Sequence, residues 1–301
     1  MMTNKQAVMK TGRLHIKALG KCILTFILSL PVWGAGGFIH AQERDSIANG
    51  NVCQTDSHDK ITNNTRMIGI GGVNILDTYL SQEKYSGTEM RYISHTIRER
   101  EGKRWARLIV HQGSIAYARN RADNANEMAG AYKFSYGLLH DWRFFGGKLD
   151  LKAGGMVDAN IGFLYNMRNS NNPAQARFNI DIAPTAIATY RFRAGKFPMA
   201  ARYEVSSPLC GIMFSPNFGQ SYYEIFSEGD YDHNIVPTTF VSTPSLRQTL
   251  SLDITVRKTT IRLGYMADWR QSKVNNLKYH SYSNMFVIGI TRSFKLIKMQ
   301  P

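Results

Sequence analysis

The sequence predicts an all-β protein, a transmembrane antiparallel up-and-down β-barrel of about ten strands, with twelve as the alternative. The first observation is residues 148–165, where uncharged odd positions alternate with Asp150, Lys152, Asp158 and Asn160 at even ones. A period of two is typical of a strand with two different faces. The second observation is length, because a soluble strand usually has about 5–6 residues and a strand crossing a bilayer at a tilt needs about 9–11.

The N-terminal residues 1–41 predict a secretory signal peptide. Five positive charges and no acid precede an apolar run over residues 22–38, and cleavage is expected after Ala41. Residues 42–66 are polar and aperiodic, which predicts a flexible periplasmic leader before a barrel at 67–301. Cys53 and Cys210 are predicted either to pair or to remain two free thiols in an oxidising compartment.

Ten strands are predicted by alternation. They span residues 67–81, 87–98, 105–120, 128–144, 148–165, 177–193, 199–206, 246–256, 259–269 and 285–294. Strand 128–144 has aromatic residues toward both ends of its uncharged face, as expected for girdles at the two membrane interfaces. Pro184 lies inside the sixth strand and predicts a bulge or a local edge, because proline cannot donate a ladder hydrogen bond.

The connections supply a third observation. Short links at 99–104, 145–147, 194–198 and 257–258 alternate with longer or more polar ones at 82–86, 120–127, 166–176, 207–245 and 270–284. Bacterial outer-membrane barrels have an even strand number, short periplasmic turns and longer outer loops. Ten strands fit if 207–245 is one outer excursion with its own hairpin at 220–227, whereas that hairpin entering the membrane would give twelve. A soluble β-sandwich is the competing fold, but its outward residues should be polar.

The most concentrated polar set is the group of charged residues on the predicted inner face. The set is Lys133, Asp141, Arg143, Asp150, Lys152, Asp158, Asp181, Arg191, Arg202, Glu204, Asp253, Arg262, Asp268 and Arg270. The interior of a ten-stranded barrel is only slightly wider than one that side chains fill completely. We therefore expect a lumen largely filled by salt-bridged side chains, and a narrow porin-like channel remains the alternative.

A second candidate site lies in the predicted outer loop. Its residues are Tyr222, Tyr223, Asp230, Tyr231, Asp232 and His233. Aromatic and acidic residues on a surface loop suit contact with a glycan or peptide ligand. The adjacent Asp232 and His233 differ from the separated acidic sites of ten-stranded outer-membrane proteases. A catalytic role is not predicted for this loop.

Other motifs give little support for catalysis. His111 and Ser114 invite comparison with outer-membrane phospholipases, but residues three apart in a strand point to opposite faces. Residues 69–72 lack the third glycine and following helix of a nucleotide-binding loop. An outer-membrane hydrolase of lipid or peptide therefore stays a lesser alternative, and no cofactor or metal is expected.

A resemblance supports the membrane location. Residues 130–165, 172–177, 214–226, 231–237 and 243–248 resemble an uncharacterised family of exported Bacteroidetes proteins with a domain of unknown function. The resemblance implies an outer-membrane location, hence a Gram-negative cell, and supplies no catalytic residue. We separately expect the barrel to be monomeric. Phe294 also resembles the C-terminal signal read by the barrel-assembly machinery, although the basic tail after it departs from the usual terminal aromatic.

The expected partners follow from this location. They are outer-membrane lipid and lipopolysaccharide, the barrel-assembly machinery and a surface glycan or peptide ligand. Nucleic acid is not expected despite the formal net charge of +15, because the basic residues are dispersed along strands and mixed with acids.

Overall fold

The computed structural model describes residues 60–169, 173–256 and 259–296. The predicted signal peptide, the leader up to residue 59 and Cys53 lie outside these ranges, whereas Cys210 is exposed at the start of a short strand. Within the described part of the chain, no helix is long and apolar enough to cross a membrane.

Twelve strands and one short α-helix form the described structure, with a single 3-10 turn at Phe145–Gly147 between the fourth and fifth strands. They are β1 (Lys60–Asp77), β2 (Tyr85–Arg100), β3 (Trp105–Asn120), β4 (Asn126–Phe144), β5 (Leu149–Asn166), β6 (Ala174–Ala194), β7 (Phe197–Ser206), β8 (Cys210–Phe214), α1 (Tyr222–Phe226), β9 (Ile235–Thr239), β10 (Leu246–Val256), β11 (Thr259–Val274) and β12 (Leu277–Leu296). Ten of the strands, all but β8 and β9, pair antiparallel in a closed ring. The prediction of a ten-stranded barrel is therefore confirmed.

The register fixes the tilt of the barrel. Met67 on β1 can be traced to β6 in two directions through the residues paired on successive strands. Through β2, β3, β4 and β5 the trace ends at Asn179. Through β12, β11, β10 and β7 it ends at Arg191. This stagger of 12 positions over ten strands corresponds to a strand tilt of about 40°, given the usual strand spacing and rise. At that tilt about 12 residues cross about 30 Å.

The strands alternate between a packed inner face and an exposed apolar outer face. On β5, Met156 is 1% exposed and the adjacent Val157 is 47% exposed. The outer face includes Ile68, Ile70, Tyr136, Leu138, Ile161, Ile180, Ile182, Leu263, Phe286 and Ile288. Exposing this continuous apolar surface to water would be unfavourable. It is the surface expected where the outside of a barrel contacts lipid.

Two expected boundaries are wrong. β1 begins at Lys60 rather than Met67, because residues 60–66 pair with both β2 and β12 and so belong to the wall instead of a leader. The loop expected at 270–284 is replaced by a two-residue turn between β11 and β12. Asn275 and Asn276 both have positive φ, of 51° and 60°, as a tight primed hairpin turn requires.

The excursion between β7 and β10 extends the wall rather than adding strands to the ring. β8 pairs with the upper part of β6 and continues the line of β7, and β9 pairs with β8. The hairpin expected at 220–227 is wrong, because Ser221 and Glu224 form a reciprocal capping box that starts α1 there. Pro184 faces the break between β7 and β8, so its missing N–H costs no ladder hydrogen bond.

Candidate functional site

The lumen is filled in tiers, which are described here from the lower end, where β1 begins and β12 ends. In the first tier, Lys152 Nζ contacts Asp150 Oδ1 at 2.6 Å, Asp141 Oδ1 at 3.2 Å and Glu99 Oε1 at 3.3 Å. Arg143 Nε lies 2.9 Å from Asp141, and an Arg191 nitrogen lies 3.0 Å from Asp150. A buried lysine thus joins three carboxylates from three strands.

A second cluster lies on the other side of the lower lumen. Arg262 binds Asp253 through two parallel hydrogen bonds of 2.6 and 2.7 Å. Arg202 donates to Glu204 Oε2 at 2.9 Å, and His95 Nε2 contacts the same oxygen at 3.1 Å. Bidentate and charge-assisted contacts of this kind are the strong ones; they hold β10 to β11 and join β7 to β2 across the lumen.

On β1–β6, β11 and β12 an apolar layer lies between the lower charges and a second charged tier. On β5, Met156 lies between Lys152 and Asp158, and on β11, Met266 lies between Arg262 and Asp268. The layer comprises Met67, Ile93, Ile97, Ala106, Leu108, Val110, Leu139, Met156, Ile187, Met266, Met285 and Val287. Space for the long methionines comes from glycines, since a Cβ at Gly69 would lie 2.8 Å from Met285 Sδ. The layer has members on eight of the ten barrel strands, and on β7 and β10 the space beside it is lined by Arg202, Glu204, Thr249 and Ser251.

The upper charged tier is centred on Arg91. Its guanidinium contacts Glu89 Oε1 at 2.6 Å and Asp268 Oδ2 at 2.5 Å, and Arg270 contacts the same Asp268 oxygen at 2.7 Å. Lys133 Nζ lies 2.6 Å from Asp158 Oδ2. Asp181 accepts a hydrogen bond from Asn179 Nδ2. All fourteen lumen residues named in the sequence analysis therefore lie on the inner face or at its lower rim.

A chamber of about 110 Å³ lies above this tier. Its lining includes Lys133, Asp158, Asp181, Arg247 and Arg270. Arg247 is 6% exposed, and both of its terminal guanidinium nitrogens are buried without a hydrogen-bond partner within the described residues.

The cap segment, residues 215–234, covers the upper mouth. Tyr79 Oη, in the β1–β2 loop, donates to Gln220 O at 2.9 Å, and Ala176 N, on β6, donates to Tyr222 Oη at 2.7 Å. The β1–β2 loop and β6 lie on opposite sides of the ring, so the cap segment spans the opening. Asn275 fixes both ends of the segment by donating to Ser215 O and His233 O at 3.0 and 2.9 Å.

The two tyrosines of this seal pack edge to face, with ring centroids 6.0 Å apart. Burial, followed by the nearby Tyr222 hydroxyl, raises the pKa of Tyr79 to about 12. Burial also raises the pKa of Tyr222. Both hydroxyls therefore stay protonated at neutral pH, and Tyr79 remains a hydrogen-bond donor.

The candidate loop residues separate into two groups. Tyr222 faces the barrel, while Tyr223, Asp230, Tyr231, Asp232 and His233 are exposed on the cap segment. The Asp232 carboxylate contacts His233 Nδ1, with both side chains more than two thirds exposed. His111 faces outward and Ser114 lines the chamber, so the wall separates these two residues. Among the described residues, no group of three or more His, Cys, Asp or Glu could hold a metal.

Several charged lumen residues lie outside the set predicted from the sequence. They are Asp77, Glu89, Arg91, His95, Glu99, Arg177 and Arg247. The four on β2 occupy odd positions, so the period of two along that strand could have identified them. Arg177 was harder to identify, because its role depends on the distant Asp77, 3.2 Å away, and on Tyr279, whose ring it covers.

Residues 23–301 match the profile of a family described as a protein of unknown function, DUF3316. The chain belongs to this family. The family description names no activity, and a search of curated proteins found no match to the chain.

Solved structures share the barrel form with this family member. The outer membrane protease OmpT of Escherichia coli is 6% identical, with a TM-score of 0.40, over 79% of this chain and 98% of that one. The transport unit of the Escherichia coli autotransporter AIDA-I is 6% identical, with a TM-score of 0.42, over 83% and 93%. The translocator domain of NalP from Neisseria meningitidis is 9% identical, with a TM-score of 0.37, over 80% and 90%. The assignment of the barrel rests on its strand pairing rather than on these likenesses.

Proposed function

We propose that this protein is a non-conducting outer-membrane β-barrel that presents its cap segment at the cell surface in a structural or ligand-binding role. The observation that carries the proposal is the filled lumen. Two tiers of ion pairs, an apolar layer between them and the cap segment lie one above another along the barrel axis. A narrow porin would need a water-filled polar path, but the polar side of the barrel at this height, lined by Arg202, Glu204, Thr249 and Ser251, leaves a cavity of only about 20 Å³.

The membrane location is supported by the outer face. A soluble protein rarely exposes a contiguous apolar patch larger than a few hundred Å². Here exposed Ile, Leu, Val and aromatic side chains continue from strand to strand around the ring. The strands of 16–21 residues in β1–β6 also exceed the roughly 12 that cross the hydrocarbon at this tilt, so their ends can project beyond it.

The orientation follows from the even strand number. Both ends of the barrel chain lie at one rim, which faces the periplasm in bacterial barrels of this type. The cap segment then faces the cell exterior and exposes Tyr223, Asp230, Tyr231, Asp232 and His233. Aromatic rings beside carboxylates suit a glycan or a basic peptide. Lipopolysaccharide around the wall and the barrel-assembly machinery are the further partners that this location implies.

A hydrolase receives less support. His111 faces the lipid side and Ser114 the chamber, and the Asp232–His233 pair is open to solvent. A general base needs to lie within hydrogen-bond reach of the group that it activates. Among the described contacts, neither His111 nor His233 lies within hydrogen-bond distance of a serine hydroxyl, and no pair of carboxylates lies opposite Asp232 and His233.

Planar-bilayer recording of the refolded protein tests the proposal. We expect no steady conductance from the wild type, with a known porin as the positive control for the bilayer. A variant with residues 215–234 replaced by a short Gly-Ser linker should also be silent, because both charged tiers and the apolar layer remain. Ohmic steps that persist at steady state in the wild type would exclude the filled-lumen function. Folding of the mature chain without detergent would exclude the membrane location.

A further inference from the structure

We propose that the chamber beneath the cap segment binds one small oxyanion, of the carboxylate or phosphate class, through the guanidinium of Arg247. This site is independent of what the outer surface binds. Two observations support it, the chamber in the upper lumen and the buried, unpartnered arginine that lines it.

The first step is the charge of Arg247. A buried guanidinium is costly unless it is paired and hydrogen-bonded, and arginine keeps its charge at any accessible pH. In the described structure, each of the other arginines that line the chamber has a carboxylate partner: Asp268 for both Arg91 and Arg270, and Asp77 for Arg177. Arg247 has no such contact, so the four N–H donors of its two terminal nitrogens are free for a ligand.

The second step is the set of acids that face the chamber, which are Glu89, Asp158, Asp181 and Asp268. Glu89 and Asp268 are held by Arg91, Asp158 is held by Lys133, and Asp181 accepts from Asn179. Asp158 is within electrostatic range of Arg247, but its carboxylate is already 2.6 Å from Lys133 Nζ. Lys133 and Arg247 therefore face the two carboxylates of Asp158 and Asp181, and the terminal nitrogens of Arg247 still have no hydrogen-bond partner.

The third step is size and shape. An apolar cavity of about 150 Å³ admits benzene, so a polar chamber of about 110 Å³ has room for acetate or phosphate. A guanidinium binds two oxygens of a carboxylate or phosphate in parallel. The positive charges of Arg247 and Arg270 both repel that of Lys133. A negative ligand among the three side chains would reduce this repulsion.

The test uses the full mature chain refolded in detergent and titrated with sodium acetate, and separately with sodium phosphate, at ionic strength held constant with sodium chloride. Isothermal titration calorimetry should show one saturable site in the wild type. Arg247→Met should abolish it, and the exposed Arg119→Met should retain it. Arg247→Lys keeps the charge but loses the fork, so its affinity should fall by about tenfold or more.

Each outcome decides the proposal. Absence of saturable binding in the wild type would overturn it, since water alone would then fill the chamber. Binding that persists in Arg247→Met would also overturn it, because the anion would be held elsewhere. If Arg247→Met fails to fold, Arg247→Lys and Arg247→Gln supply the comparison. Conductance plays no part in this assay, so its result is separate from that of the barrel function.

Discussion

The lower and upper halves of the lumen use the same residue types in different ways. Below the apolar layer, Lys152 alone contacts three carboxylates, and the Arg262–Asp253 and Arg202–Glu204 pairs complete the packing. Above it, Arg91 and Lys133 are paired, but Arg247 faces a chamber. Buried charged side chains that all have partners therefore fill the lumen, whereas a buried charged side chain without a partner leaves a site where a ligand can bind.

Breaking the lower network should have the largest effect. Lys152→Met leaves three clustered carboxylates without their shared cation, and removal of one partner from a buried pair costs about 3–5 kcal/mol. The free energy of unfolding, measured by urea denaturation in detergent micelles, should fall by about that amount. Lys103→Met, in an exposed turn, should change it by less than about 0.5 kcal/mol.

The matched change in the upper half is Arg247→Met. It removes a buried charge that has no hydrogen-bonded partner, so the free energy of unfolding in anion-free buffer should stay level or rise. If Arg247→Met lowered the free energy of unfolding as much as Lys152→Met does, Arg247 would have to be a paired charge like Lys152. The proposed difference between the upper and lower lumen would then be wrong.

The apolar layer should give the next largest effect. Met156→Ala opens a cavity where the side chain is 1% exposed, and such truncations cost about 2–4 kcal/mol. Val157→Ala, on the neighbouring lipid-facing position, should cost about 1 kcal/mol or less, because lipid tails can fill the space. Equal losses in the two variants would contradict the assignment of inner and outer faces.

The cap segment should give a smaller loss of stability than Lys152→Met or Met156→Ala. Tyr79→Phe removes the hydrogen bond to Gln220 O and should destabilise the closed cap by about 1 kcal/mol, raising chymotrypsin cleavage within residues 215–234 about fivefold. Because the pKa of Tyr79 is raised from 10.0 to about 12, its contribution is complete below pH 10 and is lost as the pH rises toward 12. The variant and the wild type should then converge, as hydrogen exchange of the cap backbone can report.

The sequence was most informative where alternation was unbroken. Residues 105–120 and 246–256 were predicted with the observed bounds, because a strand between lumen and lipid must alternate at every position. Prediction was wrong in the excursion, where the Ser221–Glu224 capping box selects a helix. It also missed the Asn275–Asn276 turn, since polar residues near a strand end resemble a loop until their pairing is known.

The period of two by itself determined that this chain forms strands with one face toward lipid and one toward a charged interior. It also gave the even strand number and most of the residues that fill the lumen. Only the tertiary structure decided which charges meet, because ion pairs such as Arg91–Asp268 join residues far apart in the chain through the stagger of the barrel. That same stagger leaves Arg247 without a partner, and no local pattern in the sequence distinguishes it from the paired arginines around it.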